Sequence, residues 1–240
     1  TAMENEAKKY DLDNLFALRG DMARGDSVYH ELQGTKEEVF RIYTILKGKK
    51  WNVVPYMGTD GTEESFLAMH GKSPRLLHLA THGFYYTPSK AADVNFLKGD
   101  TDAMSLSGLV LSGGNAAWLG KKLPKGVLGG ILTANDIARL DLSNTDMVVL
   151  SACQTGQGKA TSEGLYGLQR AFKKAGVGTI VMSLWNVDDR VTSEFMAAFY
   201  ERLTDKANAL DKRKAFEEAK QIVRKNHPDP YHWAAFVMLD

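Results

Sequence analysis

DMVVLSACQTGQGKATSEGLYGLQRAFKKAGVGTIVMSLW, residues 146–185, reads in turn as strand, loop, helix and strand. Met147, Val148, Val149 and Leu150 form an apolar run too short for a helix and rich in β-branched side chains. That is the pattern of a strand buried on both faces. The run ends at Ser151-Ala152-Cys153 and gives way to a glycine-broken loop, Gln154-Thr155-Gly156-Gln157-Gly158. Ser162 and Glu163 then open a helix: an N-cap oxygen, an acid in the first turn, and Leu165, Leu168, Ala171 and Phe172 at helical spacing. Gly176 and Gly178 end it, and 179–184 is a second buried strand. Strands joined through a helix in this way run parallel with a right-handed crossover. The only cysteine of the chain stands at the carboxyl end of the first strand. In open α/β sheets that edge carries the chemistry.

Outward from this unit the same alternation continues. Residues 76–80 (LLHLA) are a third strand, ending in Thr81-His82-Gly83. Before it, Thr62 with Glu63-Glu64 starts a helix reaching about residue 69, and 51–57 is a strand candidate that Pro55 suits to an edge. Thr35 caps an earlier helix, with Glu38 three residues on and Val39, Ile42, Tyr43, Ile45 and Leu46 as its apolar stripe, closed by Gly48. Residues 12–18 could add a short strand. Residues 84–130 break the rhythm and read as a long loop, with 108–111 the plausible strand within it; loops of that length carry function or lack order. Thr133 caps a short helix over 134–140. After the central unit come a helix over 192–203, a charged helix over 211–225, the Pro228-Asp229-Pro230 stop and a last strand at 234–239. The sum is an α/β fold with a mainly parallel central sheet. Residues 1–34 are expected to be an N-terminal extension or a remnant of the first strands, and 35–240 one domain with the insertion at 84–130.

The bulk properties narrow the function. A chain of 240 residues with 44% hydrophobic and 25% charged residues is an ordinary globular composition. A net charge of +1, with no basic cluster beyond Lys121-Lys122 and Lys173-Lys174, argues against nucleic acid as a direct partner. No apolar segment approaches the roughly 20 residues that cross a bilayer, and the polar start TAMENEAKKYDLD has no signal-peptide core. The expectation is a cytoplasmic protein without a membrane partner. One cysteine excludes an internal disulfide framework and an all-cysteine metal site, and no His/Asp/Glu set has zinc spacing. No metal and no cofactor are implied.

Two of the buried strands end in reactive side chains, one in His82 and one in Cys153. Neighbouring parallel strands lie about 4.8 Å apart with both carboxyl ends at one edge, so imidazole and thiol could face each other across a single crevice. The chemistry needs that pairing. A free thiol with a pKa near ~8.5 is mostly protonated at neutral pH, and a histidine raises its thiolate fraction or takes its proton during attack. Gly83, lacking a side chain, would let a substrate carbonyl approach its N–H, and that donor with the Cys153 N–H would form an oxyanion hole. Against this stands the blander alternative that a lone cysteine in an α/β core is an inert small hydrophobe. His78 lies inside its strand and reads as a packed core histidine; His30, His70, His227 and His232 read as structural or solvated. Ser151 shares the face of Cys153, but the G-x-S-x-G elbow is absent. QTGQG matches neither nucleotide-binding glycine pattern.

HLATHG (78–83), SGLVLSGGNAAW (107–118), GILTANDIARLDL (130–142), VVLSACQTG (148–156), EGLYGLQRAFKKAGV (163–177), SLWNVDD (183–189) and YHWAAFVML (231–239) resemble the signature blocks of the CHAT family. These are caspase-like domains in the group that also holds caspases, separase and gingipains. The resemblance implies a caspase-like three-layer α/β/α sandwich and a cysteine endopeptidase acting on protein substrates. It places the dyad on His82 and Cys153 and the oxyanion donors on the N–H groups of Gly83 and Cys153. It further implies control by a tetratricopeptide-repeat region or another regulatory partner, and that the chain is the C-terminal part of a larger protein. Asp188 and Asp189, just past a strand end, could line a pocket for a basic residue or cap the helix that follows. Separases carry a further acid beyond this block, where Ser193 stands here, and that departure weakens an arginine-specific reading. The alternative is a catalytically silent docking domain that binds a partner segment in the same crevice.

Overall fold

A computed structural model describes residues 29, 33–86, 101–123, 125–151, 162–208 and 210–240. In chain order the strands are β1 (Leu76–Ala80), β2 (His82–Tyr85), β3 (Ser107–Val110), β4 (Ile131–Thr133), β5 (Met147–Ser151), β6 (Thr179–Ser183) and β7 (Phe236–Leu239). The α-helices are α1 (Gln33–Gly48), α2 (Glu63–Leu67), α3 (Gly114–Trp118), α4 (Ala134–Ala138), α5 (Ser162–Lys174), α6 (Asp189–Leu203), α7 (Lys212–Asn226) and α8 (Pro230–Trp233).

The central sheet runs β1-β5-β6-β7. β1, β5 and β6 are parallel, and β7 closes the sheet antiparallel to β6. Every residue of β5 is buried, which is what its unbroken apolar run requires. Alternation along the strands sends Met147, Val149 and Val181 to one side, against Ile42 and Leu46 of α1, Phe195 and Phe199 of α6 and Phe216 of α7. Val148, Leu150, Ile180 and Met182 go to the other side, against Ile137 of α4 and Leu168 and Phe172 of α5. Each such apolar side chain contributes roughly 1.5–3 kcal/mol when fully buried. The result is the three-layer α/β/α sandwich with a mainly parallel central sheet that the caspase-like resemblance implies.

A second, antiparallel sheet, β2-β3-β4, grows from the carboxyl end of β1. The chain leaves the central sheet at Ala80, turns at Thr81, and enters β2 at His82. Cross-strand register puts Gly83, Leu109 and Leu132 on one face and His82, Val110 and Ile131 on the other. Leu109 and Leu132 join the core under α4 and α5. Phe84, Val110 and Ile131 instead build a small aromatic core with Trp118, Tyr29 and Tyr86.

Several expectations are corrected. The described part of the 84–130 stretch is not open loop: it holds β3, α3 and the rest of β2. Residues 51–57 form no strand; Pro55 has no N–H for a ladder, and Val54 and Tyr56 point to solvent. α1 starts at Gln33, so Thr35 lies within the helix instead of capping it, and Glu38 turns inward. α6 starts at Asp189, not near Thr192, because Asp188 supplies its cap. The last strand begins at Phe236; before it Asp229 caps the turn of α8, with Pro230 at its first position. The strand expected at 12–18 lies outside the described residues. Among the described residues no helix is long and apolar enough to cross a membrane.

Candidate active site

Three limbs converge on the carboxyl edge of the central sheet: the β1–β2 junction, the end of β5 and the segment after β6. Register fixes the first two against each other, with Leu76 paired to Met147 and so on to Ala80 paired to Ser151. His82 therefore stands two residues beyond the last β1–β5 pair. Cys153 stands two residues beyond the same pair in sequence, and lies outside the described residues.

The His82 limb is held on both sides. The Thr81 hydroxyl donates to the carbonyl of Val110 in β3, which pins the turn. His82 is half-buried, and the ring of Tyr29 lies 5.1 Å from its own, centroid to centroid. Tyr29 is in turn set edge-on against Trp118. Its backbone is gripped by one side chain: Asn115 Oδ1 accepts from Tyr29 N at 2.8 Å, and Asn115 Nδ2 donates to Tyr29 O at 2.8 Å. Burial first, and Tyr86 second, push the Tyr29 phenol far above its ordinary range. It is thus a neutral aromatic support for the imidazole. Neither Tyr29 nor Asn115 was singled out from sequence, and the signal was the asparagine in the otherwise small and apolar GGNAAW.

The strand alternation decides where the Gly83 N–H points. In an antiparallel pair, residues that exchange hydrogen bonds alternate with residues that do not. Tyr86 N donates to Leu106 O, so the pairs 84/108 and 82/110 are of the bonded kind, while Gly83 opposite Leu109 is not. The N–H of Gly83 accordingly faces away from β3, on the edge of β2, in a residue that is itself buried.

The limb after β6 gives a different answer for the two acids. Asp188 Oδ1 accepts from Arg190 N at 3.0 Å and Val191 N at 3.4 Å, so its carboxylate is spent on the N-terminus of α6. Asp189 is exposed and its Cβ sits where a side chain on Gly34 would be, 2.8 Å from an ideal Cβ there. The structure does not bring either acid together with His82 in any contact. Beside them Trp185 Nε1 donates to Tyr231 O, and Tyr231 Oη donates to Asn186 O, so this limb is tied to α8.

Beneath the edge lies a polar cluster that sequence reasoning missed. Glu38, Ser151 and Tyr200 are buried and the His78 side chain nearly so. Ser151 Oγ donates to Glu38 Oε2 at 2.9 Å, Nε2 of His78 is 2.9 Å from Glu38 Oε1, and Nδ1 of His78 is 3.1 Å from the Tyr200 hydroxyl. Ser151 is thus tied to a buried carboxylate. His78 packs as a core residue, with polar partners at both ring nitrogens. Among the described residues no group of three His, Cys, Asp or Glu side chains could hold a metal ion.

The CHAT domain model matches residues 7–240. Tetratricopeptide repeat protein 28 of Mus musculus is 36% identical over 111 residues, which cover 45% of this chain and 4% of that protein. Tetratricopeptide repeat protein 28 of Homo sapiens is 35% identical over 111 residues, with the same coverage. The match spans only a small fraction of those relatives' length. It is the family model, covering nearly the whole sequence, that places this chain: it belongs to the CHAT domain family.

Proposed function

We propose that the chain is a cysteine endopeptidase with His82 and Cys153 as its dyad. The observation that carries this reading is the register of β1 on β5. Each β1 residue faces the one 71 positions later, so the strand that leads to His82 and the strand that leads to Cys153 are parallel neighbours whose carboxyl ends share one edge. The outward N–H of Gly83 and the relation to the caspase-like superfamily point the same way. In the reaction His82 takes the thiol proton as Cys153 Sγ attacks the carbonyl carbon of a peptide bond. The carbonyl pair moves to oxygen, which the N–H groups of Gly83 and Cys153 hold. The intermediate collapses, His82 returns the proton to the leaving amine, and a thioester remains. Water, deprotonated by His82, then adds to the thioester and releases the acid and the thiol. With Asp188 committed to its helix, Asp189 is the acid of that pair left to meet a basic substrate side chain. A tetratricopeptide-repeat region, as in the names of the relatives, is the proposed regulator.

The test is alkylation of the single cysteine by iodoacetamide as a function of pH, in wild type and His82→Ala. An activated thiol reacts with half-maximal rate well below the free-thiol range near ~8.5, and the variant returns to that range. Equal profiles at the free-thiol position in both proteins would remove the dyad. That outcome would favour a silent docking domain, for which the supporting feature is a groove of about 1450 Å³ beside β1, lined by Trp51, Val53, Tyr56, Leu76 and His82 among others.

A further inference from the structure

Glu38 lies on the inward face of α1, on the side of Ile42 and Leu46, where a helix normally carries only apolar residues. A carboxylate buried there without partners would be strongly disfavoured. Its two oxygens go to two different strands of the central sheet. Oε2 accepts from Ser151 at the end of β5, and Oε1 lies against Nε2 of His78 in β1. Those strands are adjacent. One leads, through the turn at Thr81, to His82 four residues after His78, and the other leads to Cys153 two residues after Ser151. A single side chain from the outer layer therefore touches both limbs of the dyad from below.

The fourth member fixes the ring. Burial, and then the charge of Glu38, hold the Tyr200 phenol in its neutral form. The Tyr200 hydroxyl lies 3.1 Å from Nδ1 of His78, so the ring is held between the phenol on one side and the carboxylate on the other. The Nε2–Oε1 approach is short but is not aligned as a hydrogen bond, so the firm tie of the carboxylate is the one from Ser151. We propose that Glu38 is a positioning residue: its carboxylate bridges the His82 limb and the Cys153 limb and so sets the spacing across which the two side chains act. This rests on the endopeptidase reading for its consequence, though the bridge itself is a property of the fold.

The experiment uses the full chain with Ser151→Ala, Ser151→Thr, Glu38→Gln and His82→Ala, and reads two things. The first is amide hydrogen exchange in peptides covering 76–86 and 147–161, with 212–226 as a control region. The second is the pH profile of Cys153 alkylation. Ser151→Ala is expected to speed exchange at the ends of both limbs by about tenfold, the equivalent of one hydrogen bond to a charged group, with the control unmoved. Its alkylation profile moves toward that of His82→Ala, and Ser151→Thr, which keeps a hydroxyl, restores both readouts. Should Glu38→Gln fail to fold, the serine pair decides alone. Wild-type exchange and a wild-type profile in Ser151→Ala overturn the proposal. Coincident profiles for wild type and His82→Ala overturn the dyad instead, and exchange alone then judges the bridge.

Discussion

Thr81 is where a strand of one sheet passes into a strand of another. Its hydroxyl bond to Val110 turns the chain out of one sheet and into another, so that His82 starts β2 at the lip of the central sheet. The Thr-His-Gly order was legible as a strand terminus with a reactive ring. The second sheet behind it was not, because it depends on pairing with residues some 25 positions away. Asp188 illustrates the opposite case: an acid just before a helix reads equally as cap or as pocket, and only the bonds to Arg190 N and Val191 N decide for the cap. At this scale Tyr200 gives a pH prediction. Burial raises its pKa well above that of an exposed phenol, so the folded state keeps a proton that the unfolded chain releases above about pH 10. Its contribution to stability is complete below that pH and is lost as pH rises beyond it. Urea unfolding from pH 9 to 11 should show the midpoint falling, and Tyr200→Phe should flatten the decline by up to about 1.4 kcal/mol per pH unit. An identical slope in the variant would contradict the assignment.

At the scale of elements, β5, β6, α5 and α7 were readable because their patterns are local: apolar runs for the strands, helical spacing and charge for the helices; Ser162, read as a cap, is the first residue of α5 itself. β2 and β4 are four and three residues and too short for any periodicity to register, whereas β3 (Ser107–Val110) answers to the strand expected at 108–111. The polar cluster under the sheet edge had one signal in α1. Glu38 sits on the buried face with Ile42 and Leu46, and an acid there is the signal, but its position three residues after Thr35 invited a capping reading. The small sheet also makes a packing prediction. Gly108 of β3 lies so close to its neighbours that an added Cβ would come within 2.7 Å of the Phe84 ring and press on the Leu132 carbonyl. Gly108→Ala should therefore cost about 1–3 kcal/mol in urea denaturation and disturb the strand that carries His82. A change within error would mean that β2 and β3 are less tightly paired than their register implies.

In the molecule as a whole, the three-layer sandwich brings separate pieces of sequence to one edge. The register of β1 on β5 is set by cores on both faces of the sheet, since a one-residue slip would turn His78 and Val149 to the opposite layer. That register sets side by side the strands that lead to His82 and to Cys153, with the Glu38 bridge beneath them, while the direction of the Gly83 N–H comes from the pairing of β2 with β3. The order of the signature blocks made the family legible from sequence, whereas the support given to His82 by Tyr29 and Asn115 needed three dimensions. A crystal structure of the chain after carboxamidomethylation of Cys153 tests the claim most directly. The account predicts the modified sulfur within about 4 Å of the His82 ring, with the amide oxygen of the adduct about 2.7–3.1 Å from the Gly83 N–H. A sulfur enclosed in the core, or on the far edge of the sheet from that imidazole, would contradict it.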